Sequence, residues 1–327
     1  MLVDRELMAL TPTVLVLRAL GIGDLLTAVP ALRGLRRSCP DRRLALAAPA
    51  GLAPLVELIG AVDELVPTAG LGALDFRGGK LDLAVNLHGR GPESIADLLR
   101  QNPPRTLTYR HADYPDLPGP EWVADQHEVQ RWCSLLEWFG IPCNAEALDL
   151  TPPPEASAAP GAVVIHPGAA SPARRWPVDR FGAVARVLAD RGHRVVVTGS
   201  AGERPLAEAV ADSAGLPPGA VLAGEMSLRG TAAVVADARL VLCGDTGIAH
   251  LATAFRAPSV ILFGPVSPAH WGPPRRPQHA CLWSGRRGDP HGSSLDPGLA
   301  AITVEDVLGA VGEVCAEKHA MEGGLDV

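Results

Sequence analysis

Short apolar runs alternate with amphipathic helical patterns along this chain, and they do so twice, on either side of a proline-rich break. This alternation constrains the fold more than any other feature. Strands joined by helices pair in parallel, and a parallel sheet needs helices on both faces. In the first half, strand signals at 14–17, 43–48 and 81–87 alternate with helical patterns at 24–37, 51–60 and 91–100. In the second half, strand signals at 162–165, 194–198, 239–243 and 258–262 alternate with helical patterns at 178–191, 203–214, 228–236 and 247–255. The segment between them, 151–161 (TPPPEASAAPG), has a linker's composition. The pattern predicts two doubly wound α/β domains, 1–155 and 156–327, with a last helix at about 304–317 near the domain junction. The stretch 268–297, rich in Pro, Gly, Arg and His, reads as a long surface loop.

Three strand-to-helix turns carry chemistry. After the apolar run 238–242 comes CGDTGIAH, in which a helix starts near Thr246. Helix N-termini present unpaired N–H groups and a positive dipole end, which suits a phosphate. Thr246 can cap the helix and donate to an oxyanion, Gly247 lets backbone approach a ligand, and His250 falls one turn on, on the side of Thr246. The same turn would serve as an ordinary capped junction. Near the N-terminus, RALGIGD follows the strand signal at 14–17 and places Asp24 at a helix N-cap, at the carboxyl end of a strand. In the third, HPGAASPARRWP at 166–177 sets Arg174 and Arg175 beside a glycine turn, and guanidinium binds phosphate in a planar fork. Glu203 follows a further glycine turn. There it can accept from both ribose hydroxyls, or simply favour the start of its helix.

Taken in order, these motifs resemble glycosyltransferase family 9, the bacterial heptosyltransferases. RALGIGDLLTAVP at 18–30 is similar to the family's first loop and helix, whose aspartate is the proposed catalytic residue. LDLAVNLHG at 81–89 resembles its YDLVIDLQG strand. The loop at 166–177 resembles its PGA…K-x-W-P loop, and MSL at 226–228 with DTGIAH at 245–250 resembles its MSL…DTG-x-x-H pairing. FGP at 263–265 matches its FGP turn. One departure matters: Arg174 stands at the lysine position, so a donor fork replaces a point charge.

The resemblance implies two Rossmann-like domains facing across a cleft (the GT-B type), the first holding the acceptor and the second a nucleoside-diphosphate sugar, ADP-linked. It implies inverting, metal-independent transfer with Asp24 as base. Gly168, Arg174, Arg175, Glu203, Met226, Asp245, Thr246, Gly247 and His250 are the candidate donor-site residues. Preorganised donors among them would meet the charge developing on the diphosphate, and Met226 suits a stacked purine. No cofactor beyond the co-substrate is implied, and His, Cys and Asp show no metal-ligand spacing. A sugar-nucleotide epimerase on the same architecture is the rival enzyme class.

Charge bears on the acceptor. Acidic residues outnumber basic ones in 1–155, whereas the remainder is nearly balanced, and the whole chain carries a net −7. This speaks against nucleic acid as a partner. It also leads us to expect a small neutral or cationic acceptor, such as an aminocyclitol or another natural-product intermediate in antibiotic biosynthesis, with Gly23, Asp113, Asp116, Glu121 and Asp125 as contributors. A cell-envelope heptosyltransferase acting on an anionic lipopolysaccharide is the alternative. No run of 18 apolar residues is present, so no integral membrane segment is expected. Asp4 and Glu6 speak against a secretory signal. Cys39, Cys133, Cys143, Cys243, Cys281 and Cys315 have no CxxC spacing. Reduced thiols in a cytoplasmic protein are the expectation.

Overall fold

The computed structural model describes residues 11–323, with side chains as far as residue 316. Asp4 and Glu6, on which the secretory-signal reading rests, lie outside the described residues. The chain divides into two compact units, Met1–Leu148 and Asp149–Val327. The division falls just ahead of the proline-rich segment 151–161, so that segment belongs to the second unit.

The first unit is a parallel sheet of β1 (Thr13–Leu17), β2 (Arg43–Ala48), β3 (Glu64–Pro67), β4 (Leu81–Asn86) and β5 (Thr106–Leu107). The strand order is β3-β2-β1-β4-β5. Its helices are α1 (Ile22–Thr27), α2 (Val29–Ser38), α3 (Ala53–Ile59), α4 (Glu93–Leu99) and α5 (Glu128–Trp138). Every residue of β1 is buried, as expected for a central strand covered on both faces. The single helix expected at 24–37 is two helices. Pro30 lies at the start of α2 and has no N–H to continue the α1 ladder, so the chain breaks at Ala28. Two short edge strands, β3 and β5, and the helix α5 carried no expectation from the sequence.

In the second unit, β6 (Val163–His166), β7 (Val195–Val197), β8 (Leu240–Gly244), β9 (Ser259–Phe263) and β10 (His279–Trp283) pair in parallel in the order β10-β9-β8-β6-β7. The connecting helices are α6 (Val178–Asp190), α7 (Arg204–Ala214), α8 (Leu228–Ala236), α9 (Gly247–Ala254), α10 (Pro268–Trp271), α11 (Pro297–Ala300) and α12 (Val304–Gly323). α12 packs on α6, β9 and β10 within this unit. The surface loop expected at 268–297 is corrected here. It folds into α10 and then β10, which extends the sheet by pairing its backbone with β9 from His279↔Ser259 to Trp283↔Phe263. Trp176, Phe181, Leu188, Leu242 and Leu262 lie in one buried cluster of this unit.

In both sheets the strand order reverses direction once, between β1 and β4 and between β6 and β8. Open α/β sheets place ligands in the crevice outside the carboxyl ends of the strands at that point.

The stretch after β5 has no regular structure but is held tightly. Arg110 N–H donates to the Pro120 carbonyl at 2.9 Å, and a side chain at Gly119 would run into the Thr108 carbonyl. Gly119→Ala is therefore expected to lower the unfolding free energy by about 1–3 kcal/mol. Gly51→Ala, where nothing lies within 4 Å of the new methyl, should stay within about 0.5 kcal/mol of wild type. Urea unfolding of the two variants checks the contrast.

Candidate functional site

In the first unit the chain leaves β1 at Arg18, which is buried although charged. Its Nη1 donates to the Leu87 carbonyl at 2.5 Å, reaching across the β1/β4 reversal, and its Nε donates to the Asp24 carbonyl at 2.9 Å. Its Nη2 faces Asp24 Oδ1 (3.3 Å), Thr27 Oγ1 (3.2 Å) and Glu128 Oε1 (3.1 Å). The guanidinium also stacks over the Trp132 ring, 4.6 Å from its centroid.

Asp24 does not occupy the N-cap position expected for it. Gly21 is the N-cap, and Asp24, two residues into α1, reaches back so that Oδ2 accepts from Gly21 N–H at 3.3 Å. Gly23 lies beside it in the first turn. The Asp24 side chain is 29% exposed, enough for a ligand to reach it. Burial pushes its carboxyl above the usual carboxylate range, Arg18 opposes that shift, and Glu128 adds to it.

Across the reversal, His88 Nδ1 accepts from Ala19 N–H at 3.2 Å. Burial and the nearby Arg18 charge hold this imidazole down to about 4, so it is neutral near pH 7.

The acidic stretch 109–126 is anchored to the same network through Arg131. Its Nη1 donates to the Val123 carbonyl at 2.6 Å and its Nε to Glu128 Oε2 at 3.0 Å. Tyr109, Trp122 and Trp132 pack edge to face around it. Asp113, Asp116, Glu121 and Asp125 are exposed. Glu121 pairs with Arg110, and His111 Nδ1 accepts from the Asp113 backbone N–H, which turns that loop back on itself.

In the second unit the loops after β6 and β8 meet at the other reversal. Arg174, at the end of a 3₁₀ turn, clamps Asp245 through Nη2, which donates to the Asp245 carbonyl and to Oδ2 at 2.9 Å. Arg175 turns back and donates to the Ala169 carbonyl. Asp245 is buried, and burial raises its carboxyl against the opposing pull of Arg174.

Thr246 is the N-cap of α9, but its side chain makes no cap bond. Its hydroxyl is buried without a hydrogen-bond partner from the surrounding oxygens and nitrogens, and the Cys243 thiol lies beside it. Gly247 opens the helix. One turn on, the His250 ring sits edge-on to Trp271, 6.0 Å between centroids.

Glu203 lies at the far side of β6. Its Oε2 accepts from Ser200 N–H and Ser200 Oγ, both at 2.8 Å. Its carboxylate also fills the space above Gly168, where a Cβ would collide with it. Burial works against its charge, but the Ser200 bonds, His166 and Arg175 outweigh it and hold the carboxyl low. Met226 precedes the Ser227 cap of α8. Its segment is tied to the Glu203 turn by Gly224 N–H donating to the Gly199 carbonyl at 3.0 Å. Thus Gly168, Arg175 and Glu203 gather on one side and Arg174, Asp245, Thr246 and Gly247 on the other. Trp271 and Glu128 were missed by sequence reasoning, since each reaches its site only through the fold.

The comparisons with known proteins now bear on this geometry. A family model described as Glycosyltransferase family 9 (heptosyltransferase) matches residues 120–296. Lipopolysaccharide heptosyltransferase 1 of Pseudomonas aeruginosa is 30% identical over 301 residues, spanning 79% of this chain and 80% of that protein. The chain belongs to glycosyltransferase family 9. It is a glycosyltransferase, and that sets aside the epimerase reading.

Among solved structures, E. coli ADP-heptose lps heptosyltransferase II matches with a TM-score of 0.75 and 22% identity, over 94% of this chain and 99% of that one. The E. coli heptosyltransferase WaaC with ADP matches with a TM-score of 0.68 and 20% identity, over 92% and 99%. These establish the GT-B fold class. The expected neutral or cationic acceptor finds no support among the relatives, which favour the lipopolysaccharide alternative. Among the described residues no group of three or more His, Cys, Asp or Glu is gathered as for a metal ion, and no helix is long and apolar enough to cross a membrane.

The Arg174–Asp245 pair has a measurable pH signature. A carboxyl raised in the folded state favours folding most at low pH, and its contribution is lost as pH rises through the folded pKa. Arg174 limits that loss. Arg174→Met is expected to cost about 3 kcal/mol at pH 7, where Asp245 is left buried and unpaired. The deficit should narrow on acidification as Asp245 takes up its proton, and adding Asp245→Asn should recover part of it. Urea unfolding across pH 5–7.5 is the measurement.

Proposed function

We propose that the enzyme transfers a heptosyl group from ADP-heptose to lipopolysaccharide, with inversion at the anomeric carbon. The observation that carries the donor assignment is Thr246. Its hydroxyl is buried and unpartnered at the N-terminus of α9, beside the Arg174–Asp245 clamp. A diphosphate oxygen satisfies that hydroxyl, takes hydrogen bonds from the first N–H groups of α9, and sits against a guanidinium. Glu203, over Gly168, accepts from the ribose hydroxyls, and Met226 lies beside the base. The ADP complex of a fold neighbour supports this donor, and the P. aeruginosa relative's name supports the acceptor class.

In the first unit Asp24 takes the proton of the acceptor hydroxyl as that oxygen bonds to the anomeric carbon. The bond from that carbon to the diphosphate oxygen breaks in the same step. The charge left on ADP is met by Thr246, the backbone at Gly247 and Arg174. A raised carboxyl suits a base, because a weakly held carboxylate takes a proton more readily. Free thiols at all six cysteines support a cytoplasmic site of action.

Asp24→Asn is expected to lower kcat by roughly 100-fold or more while leaving the Kd for ADP nearly unchanged. Thr246→Val should do the reverse first, weakening ADP by about 1–2 kcal/mol in calorimetry. Transfer is scored by the mass gained by lipopolysaccharide lacking heptose. Turnover of amino-sugar acceptors with none of that lipopolysaccharide would overturn the acceptor assignment.

A further inference from the structure

Three acceptors compete for one nitrogen of Arg18. Its Nη2 carries two hydrogens, yet Glu128 Oε1 stands at 3.1 Å, Thr27 Oγ1 at 3.2 Å and Asp24 Oδ1 at 3.3 Å. The contact with Asp24 is the longest of the three. The other hydrogen bonds of the Arg18 side chain go to main-chain carbonyls.

Glu128 is better held. Beyond Arg18, its Oε1 accepts from the Trp132 indole at 3.0 Å and its Oε2 from Arg131 Nε at 3.0 Å. The two carboxylates are thus unequal. One is fixed by three donors, and the other has one long contact to a shared cation and one long bond from Gly21 N–H.

We infer that Glu128 is a positioning residue, which by occupying Arg18 keeps that guanidinium from closing on Asp24 and so keeps Asp24 a competent base. The inference rests on the reading of Asp24 as the base. A guanidinium pairing fully with a carboxylate makes it a weaker base, and a second carboxylate on the same cation prevents this. The charged groups around Asp24 agree. Arg18 faces it from the loop after β1, and Glu128, itself paired with Arg131, acts on it from α5. His88, from the loop after β4, is held down to about 4 and contributes no charge near pH 7.

The test is a carbon-13 carboxyl titration of the full chain labelled at aspartate, with the Asp24 signal assigned by its loss in Asp24→Asn. In Glu128→Gln the Asp24 midpoint should fall by about one pH unit, and the acid limb of the kcat/KM profile for transfer to heptose-free lipopolysaccharide should move down with it. Glu128→Asp, which keeps the charge, should restore most of the wild-type midpoint. A folded Glu128→Gln with an unmoved Asp24 midpoint overturns the inference.

If Glu128→Gln does not fold, Trp132→Phe is read instead. It keeps a ring over Arg18 but removes one of the three donors that fix Glu128, so Arg18 is freer to close on Asp24 and the midpoint should fall, and no fall overturns the inference. Near-normal turnover of Asp24→Asn would instead remove the base assignment. The titration would still report whether Glu128 governs that carboxylate, so the two failures are distinguishable.

Discussion

A guanidinium closes the gap at each strand-order reversal, and both candidate sites are organised around that contact. Parallel strands end with their carbonyls and following loops on one side of the sheet, and where the order reverses, neighbouring loops diverge and leave a crevice. Arg18 spans the crevice of the first unit to the Leu87 carbonyl, and Arg174 spans that of the second to Asp245. Each arginine also touches a carboxylate, Asp24 in one case and Asp245 in the other. At Arg18 the planar fork matters, because its three nitrogens reach separate acceptors at once, which a point charge cannot do. Arg174, at the position where the resemblance implies lysine, makes both of its Asp245 contacts through one nitrogen.

The two carboxylates differ in what the fold asks of them. Asp245 is buried and clamped, and it ties the loop after β8 to the loop after β6. Asp24 is more exposed and loosely bonded. A residue that shapes a pocket is best held firmly, whereas one that must accept a proton is best left with a free lone pair. Burial raises both carboxyls, so their difference lies in geometry and access rather than in the direction of the shift.

Most of the fold was legible because parallel-sheet strands are buried on both faces and read as unbroken apolar runs. Thr13–Leu17 and Leu240–Gly244 show this plainly. The elements that escaped were those whose sequences lack such a run. β5 is two residues long, and β10 (HACLW) is a half-exposed edge strand set among prolines, glycines and arginines. α5 carries Val129, Trp132, Cys133 and Leu136 at helical spacing, but it follows an irregular stretch that interrupts the alternation. The candidate donor-site residues could be named from the sequence because all but Met226 lie in three short turns. Their pairings could not: Arg174 with Asp245 and Gly168 with Glu203 are matches made by neighbouring strands, invisible to local spacing. The acceptor reading went unsupported by the relatives, and its premise was weak for a related reason. Net charge counts residues without their partners or places, and Arg110 already answers one of the carboxylates counted.

The contact between Gly168 and Glu203 has an evolutionary consequence. A methyl at 168 would strike only the far end of a flexible side chain, so the fold could absorb it by turning the glutamate away. Drift at 168 would therefore leave a stable protein whose carboxylate no longer stands over the loop. Positions 168 and 203 form a linked pair: a lineage that keeps the acid must keep the glycine, and one that loses the glycine is released from keeping the acid.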